Sequence, residues 1–410
     1  MQKSNKLKFI WISPFGLLVN IRINEISKRL TENNIMPIIL THKLRKEDKV
    51  SPKFFHEKLC VIHFRNPLLY NFKSKILNYI REVIFKVAFF LRGFPLLFSD
   101  VNSFIKKNKN IKFVYATGPS FFTHILGYLL KKKFHLPLVI EYTDPWYLNP
   151  YAEGKIRWLQ KQIDYIIERQ ILDSAEIIVS LSDFLNSILK ANFPFIRKKP
   201  IFSIPDGLNL HDISYELRKK EQKIIITYTG SIYGRRDISP LFKIISDLNK
   251  EDFFKDTPLL IKIFGNYPKN VFERILRRLN IRDLFYLGDF LPRDSALEEI
   301  KNCDLALHIG ENLDYPTTAF KVWEYLSCRK KILFLNPENT FRSNFIENNQ
   351  LGFIIPINDL EKAKSKLKML LSDLKNGAID SYVEESKLSE FSWENRAQRF
   401  LNTIMKIILK

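Results

Sequence analysis

The chain has little of what metal sites, disulfide scaffolds and nucleotide-triphosphate loops are built from. Its 410 residues include three cysteines, Cys60, Cys303 and Cys328, far apart and without a CxxC pair. That excludes a disulfide framework and a cysteine-rich zinc site, and leaves reduced thiols in a reducing compartment as the expectation. The seven histidines are scattered without zinc-ligand spacing. No Asp-x-Asp pair offers itself to a divalent ion, so no metal is expected. Neither a P-loop nor a G-x-G-x-x-G occurs, which removes the ATPase and dinucleotide readings on motif grounds. No uncharged apolar run approaches about 18 residues, so no membrane-spanning helix is expected. The start, MQKSNKLKFIWIS, lacks the apolar region of a signal peptide, and a cytoplasmic protein is the expectation.

What is present is apolar bulk and positive charge. At 46% hydrophobic, with 34 phenylalanines, the chain can fill two cores of roughly 200 residues each. Sixty-five basic against 44 acidic residues give a net charge of +21, compatible with nucleic acid, anionic lipid or phosphorylated substrates. The lysines are spread rather than gathered into a stripe, and no nucleic-acid-binding motif occurs, so nucleic acid is the least favoured of the three.

Apolar runs at 7–12, 35–40, 59–64, 112–116, 137–141, 176–180 and 200–204 read as strands. Helical patterns at 20–33, 119–133, 155–174 and 182–191 lie among them, which gives one doubly wound α/β domain. ProAspGly (205–207) and the charged stretch 214–223 end that series. A second begins with strands at 223–229, 259–264, 284–287, 304–309, 331–335 and 352–355, and the chain is helical after 358. Ligands of such sheets sit at the carboxyl ends of the strands.

Two stretches stand out. Tyr315 to Leu335 reads as loop, short helix and buried strand, with Thr317 and Thr318 as N-cap types and Lys321 and Glu324 three apart on one face. A helix start suits phosphate. One turn further in, a carboxylate can accept the hydroxyls of a ribose. The plain alternative is an amphipathic helix with a solvated Lys–Glu pair. Residues 76–98 are strongly apolar but interrupted by Arg81, Lys86 and Arg92, which fits a core helix with a loop, or a basic amphipathic surface lying on an anionic membrane.

The order of motifs resembles retaining glycosyltransferases of the GT-B fold, in particular glycosyltransferase family 4. The resemblance spans nearly the whole chain. It rests on TyrThrGlySerIleTyrGlyArgArgAsp (228–237), LeuGlyAspPheLeuProArgAsp (287–294), AsnCysAspLeuAlaLeu (302–307), ProThrThrAlaPheLysValTrpGluTyrLeu (316–326) and PheSerTrpGluAsnArgAlaGln (391–398). IleGluTyrThrAspProTrp (140–146), GluArg (168–169) and IleProAspGlyLeuAsn (204–209) add to it in the first half. The chain departs from the family's paired glutamates. Glu324 fits the second, but Pro316 occupies the first, with Glu311 nearby at another spacing. ArgLysLys (329–331) also stands where relatives carry a Gly-x-Pro.

The resemblance implies two Rossmann-like domains facing each other across a cleft. These would be an acceptor domain over 1–207, with 394–410 packing back on it, and a donor domain over 208–393. It implies a nucleotide-sugar donor, UDP- or GDP-linked, with no cofactor, and a glycan or lipid-linked acceptor of cell-surface polysaccharide synthesis. Transfer would be retaining and metal-independent, and the basic charge with the 76–98 stretch suggests an anionic inner membrane face as its place. Donor binding falls to Gly230, Arg235, Arg236, Thr317, Thr318, Lys321 and Glu324. Catalytic or acceptor-contacting roles fall to His124 and Asp144, and weaker acceptor-side roles to Gly16 and Arg22. A sugar-nucleotide epimerase or hydrolase of the same fold, a basic nucleic-acid-binding protein and a non-catalytic partner subunit are the alternatives.

Overall fold

The computed structural model describes residues 6–13, 21–42, 60–64, 101, 103–108, 110–118, 121–149, 158–209, 223–311 and 313–409. Gly16 and the apolar stretch 76–98 lie outside the described residues. The chain divides into two compact units, Met1–Asp206 with Trp393–Lys410, and Gly207–Ser392.

The first unit is built on a seven-stranded parallel sheet in the order β3-β2-β1-β4-β5-β6-β7. Its strands are β1 (Leu7–Ser13), β2 (Ile35–His42), β3 (Cys60–Phe64), β4 (Ile111–Thr117), β5 (Leu138–Tyr142), β6 (Ile177–Ser180) and β7 (Ile201–Ser203). Helices α1 (Ile21–Glu32), α2 (Phe122–Phe134), α3 (Trp158–Ser174) and α4 (Asp183–Asn192) supply crossovers. The strands are continuous apolar runs because both faces are covered. In β1, Ile10 and Ile12 join one core with Ile125 and Leu126 of α2. Phe9 and Trp11 point to the opposite face and join a second core with Ile23 and Ile26 of α1. That is the two-residue alternation of a strand.

The second core is completed from the far end of the sequence. Trp393 and Phe400 of a last helix (Trp393–Phe400), with Ile404 and Met405 beyond it, pack there at 4% exposure or less. The Phe400 ring lies 5.9 Å from Trp11 and 5.3 Å from Tyr115. On the surface Arg29 of α1 donates through Nε to Glu394 at 3.0 Å.

The second unit is a six-stranded parallel sheet in the order β10-β9-β8-β11-β12-β13. Its strands are β8 (Ile224–Thr229), β9 (Leu259–Phe264), β10 (Phe285–Leu287), β11 (Leu305–Ile309), β12 (Ile332–Leu335) and β13 (Gly352–Ile355). Helices α5 (Ser239–Lys250), α6 (Lys269–Arg278), α7 (Arg293–Lys301), α8 (Phe320–Ser327), α9 (Phe341–Asn348) and α10 (Leu360–Asn376) flank it. Ile224, Ile226 and Tyr228 of β8 face a core with α5 and α10, and Ile225 faces the core under α8. Each sheet therefore carries the first-strand-central order in which the chain reverses direction beside the first strand. Among the described residues, no helix is long and apolar enough to cross a membrane.

One local expectation is corrected. Helix α8 starts at Phe320 with Ala319 as its N-cap, and no side chain caps it. Thr317 and Thr318 lie in the loop before it, with Thr317 buried at 4% exposure and its carbonyl accepting Arg342 Nε at 2.6 Å. A buried turn holds them away from the cap.

Candidate functional site

In the second unit the carboxyl ends of β8 and β9 open into a cavity of about 250 Å³, lined by Gly230, Gly265, Phe290, Arg293, Lys321 and Glu324 among others. Two glycines shape its floor. Gly230 has φ +145°, and a Cβ on it would come within 2.4 Å of Lys321 Cε. Gly265 has φ +135°, and a Cβ on it would fall 1.9 Å from the carbonyl oxygen of Gly230. Only glycine lets two strand ends approach this closely in these conformations.

Helix α8 lays two charged side chains over that floor. Lys321, in the first turn, donates through Nζ to the carbonyl of Thr229, the last residue of β8. Burial lowers its ammonium below the ordinary lysine value, with Glu324 opposing the shift and Arg236 adding to it. Glu324, one turn on, accepts from Arg293 Nε at 2.9 Å. The local Lys321–Glu324 ion pair allowed by their spacing is not formed; each side chain reaches a different element instead. An ammonium with one proton on a carbonyl has two left for an anion, and the uncapped start of α8 presents backbone N–H groups beside it.

The sequence left Arg235 and Arg236 equivalent, and the structure separates them. Arg235 is exposed. Arg236 is half-buried, donating through Nη2 and Nε to Glu311 Oε1 at 3.0 and 3.2 Å and through Nη1 to the Ser231 carbonyl at 3.1 Å. Its guanidinium also lies over the Tyr233 ring, 5.0 Å from the centroid. Glu311 thus acts as the internal counter-ion of Arg236. His308, at the end of β11, is 4% exposed, and burial together with Arg342, Arg236 and Lys321 holds its ring neutral.

In the first unit Arg22 is 4% exposed and all five of its N–H groups are engaged. Nε and Nη2 donate to Glu141 Oε1, the former at 3.0 Å. Nη2 also reaches the Ile204 carbonyl at 2.8 Å, and Nη1 the Pro205 carbonyl at 3.0 Å and Asp206 Oδ1 at 3.3 Å. Glu141 is 0% exposed and accepts in addition from Thr117 Oγ1 at 2.8 Å. Arg22 is thus held wholly by the protein around it. With no donor left for an outside anion, it ties α1, β5 and the chain after β7 together.

His124, in the first turn of α2, is 0% exposed, with Nε2 2.9 Å from the Glu141 carbonyl and its ring against Phe121 and Tyr142. Burial pushes its pKa down to about 4, so the ring is neutral and donates Nε2–H to that carbonyl. Asp144, two residues beyond β5, is half-buried and receives a long 3.5 Å bond from Thr143.

The structure thus gathers Gly230, Lys321 and Glu324 around one cavity, places Arg236, Thr317 and Thr318 within the same unit, and leaves Arg235 on its surface. His124, Asp144 and Arg22 lie in the first unit, the first and last linked through Glu141. Sequence reasoning missed the counter-ions Glu141, Glu311 and Arg293. Arg293 stood inside a quoted motif, but nothing local marked Glu324 as its partner.

No protein-family model matches the chain, and no curated protein matches it. Solved structures do. Sucrose-phosphate synthase from Thermosynechococcus elongatus superposes with a TM-score of 0.68 at 13% identity, over 98% of this chain and 99% of the other. A glycosyltransferase from Rickettsia africae gives 0.60 at 16% identity over 99% of both chains. HepE from Anabaena, solved in complex with UDP and glucose, gives 0.61 at 11% identity over 98% and 100%. These neighbours are GT-B glycosyltransferases, and likeness over both full lengths establishes the two-domain α/β GT-B fold for this chain.

Proposed function

We propose that the protein is a glycosyltransferase that takes a sugar from a nucleoside-diphosphate donor, UDP- or GDP-linked, and passes it to a glycan or lipid-linked acceptor in cell-surface polysaccharide synthesis. The observation that carries the reading is the convergence of Gly230, Lys321 and Glu324 on one cavity at the carboxyl ends of β8 and β9. The presence of UDP and glucose in the Anabaena neighbour supports the donor class.

In this reading Glu324 accepts the ribose hydroxyls and the diphosphate lies along the start of α8. As the bond to the sugar breaks, negative charge grows on the diphosphate oxygens. The ammonium of Lys321, the N–H groups of α8 and a guanidinium from Arg235 or Arg236 oppose that charge without a metal ion, being in place before it develops. Asp144 serves the acceptor, with Gly16 and the His124–Glu141–Arg22 group shaping its side. Transfer is retaining, as the resemblance implies. The net charge of +21 and the basic, apolar 76–98 stretch suit work at an anionic membrane surface.

The test is a thermal-shift screen against UDP, GDP, ADP, CMP and dTDP with Glu324→Ala alongside, followed by transfer assays with the nucleotide sugar so identified. A ligand at about 100 times its dissociation constant adds roughly 2.7 kcal/mol of stability. One nucleotide should stabilise the wild type and not the variant. Silence with all five would remove the reading.

A further inference from the structure

Arg293 opens α7, directly after Pro292, the N-cap residue, whose side chain makes no capping bond. A cation in the first turn faces the positive end of the helix dipole, so the position is unfavourable in isolation. Its Nε reaches Glu324 Oε1 at 2.9 Å across the cavity. The guanidinium occupies only one carboxylate oxygen. Oε1 is taken, while among the described residues Oε2 has no hydrogen-bond partner. Glu324 is 17% exposed and Arg293 39%, so the pair sits at the mouth, with the carboxylate on the inner side.

Left to itself, a glutamate side chain has three rotatable bonds and samples several directions. The Arg293 bond ties down Oε1 of Glu324 and so narrows the directions the open oxygen samples. Lys321 does not do this: its ammonium reaches the Thr229 carbonyl and forms no ion pair with Glu324.

We propose that Arg293 is the positioning residue of the nucleotide site: it anchors Glu324 through Oε1 so that Oε2 recognises a ribose hydroxyl, and so sets the preference for ribo- over deoxyribonucleotides. This rests on the reading of Glu324 given above. Arg293 itself need not touch the nucleotide. The chemistry it selects is the 2′-hydroxyl of a ribose, since a carboxylate oxygen held in place rewards a correctly placed donor far more than a mobile one does.

The experiment is calorimetric binding of UDP and 2′-deoxy-UDP, or of GDP and 2′-deoxy-GDP if the guanine nucleotide binds the wild type more tightly. Wild type, Arg293→Gln, Arg293→Lys and Glu324→Gln are compared. A charge-assisted hydrogen bond to the hydroxyl should favour the ribonucleotide by about tenfold or more in the wild type. Arg293→Gln should bring the ratio down to about that of Glu324→Gln, with Arg293→Lys between, since an ammonium holds the charge without the planar fork. A ratio unchanged in both Arg293 variants but lost in Glu324→Gln would overturn the proposal and leave the ribose-binding role of Glu324 standing. A wild-type ratio retained by Glu324→Gln, or no binding of either nucleotide to the wild type, would remove both. Melting temperatures of the four proteins separate a lost fold from a lost preference.

Discussion

Lys321 lies in the space that a side chain on Gly230 would need: a Cβ there would stand 2.4 Å from Lys321 Cε and 2.6 Å from Nζ. The absence of a methyl group on the strand end is thus what lets the ammonium reach the Thr229 carbonyl. Gly230→Ala should displace Lys321 and also strain the backbone, because φ +145° is closed to an alanine. The expected cost is about 1–3 kcal/mol of stability. The variant should fold, melt several degrees lower, and show no further rise with the nucleotide that stabilises the wild type. A full nucleotide response would show that Lys321 can be moved without consequence.

Lys321→Met keeps the length of the side chain and removes the charge. Affinity for the nucleoside diphosphate should fall by about tenfold or more, the worth of a charge-assisted contact to phosphate. Affinity for the bare nucleoside should be unchanged. The two dissociation constants, measured side by side, locate the lysine on the phosphate. Equal losses for both ligands would instead put it against the nucleoside.

The Arg22–Glu141 pair predicts a large asymmetry in stability. Arg22→Met leaves a 0%-exposed carboxylate without its counter-ion, which should cost about 3–5 kcal/mol. Adding Glu141→Gln to Arg22→Met removes the buried charge and should recover a substantial part of that loss. Urea unfolding followed through a probe in the first unit reads both. A double variant no more stable than the single would mean that geometry, not charge, is what the pair supplies.

Glu168, 1% exposed, gives a pH signature. Burial pushes its carboxyl from 4.5 up to about 8, against the pull of the Tyr147 N–H at 2.9 Å. From pH 4.5 to 8 the native state therefore keeps a proton that the unfolded chain has lost, so stability falls as pH rises through that window and levels off above it. His124, lowered to about 4, and His308 act in the opposite sense below 6.5, where the unfolded chain takes up protons that the buried rings refuse. The range from 6.5 to 8 isolates Glu168. There the wild type should lose about 1.4 kcal/mol per pH unit at most relative to Glu168→Gln, which mimics the protonated form. Parallel stability curves for the two proteins would put the Glu168 carboxyl at its ordinary value.

The fold was legible wherever the chain is apolar on both faces. The run at 331–335 holds β12 and that at 304–309 holds β11, both buried throughout, because such runs find their stable place in the middle of a covered sheet. The site was legible where its parts are near in sequence, as with Gly230 and the Lys321–Glu324 spacing. Pairings were not. Arg22 and Glu141 are 119 residues apart, and Arg293 and Glu324 are 31 apart, so only the sheet order brings them together. Local spacing even misled, since Lys321 and Glu324 share a face yet form no ion pair with one another. The start of α8 slipped for a related reason: Thr317 had the right side chain for a cap, but burial of its loop committed it elsewhere.

The return of the last helix to the first sheet has a temporal consequence. Phe400, Ile404 and Met405 belong to the core around Phe9 and Trp11, yet a ribosome makes them only after the whole second unit. Domains that emerge first usually fold first. Here the earlier domain must wait, with one face of its sheet covered only in part by α1, while the later one can close as soon as it has left the exit tunnel. Loss of the final few turns, by a stop codon or a protease, would thus injure the part of the protein that was synthesised first.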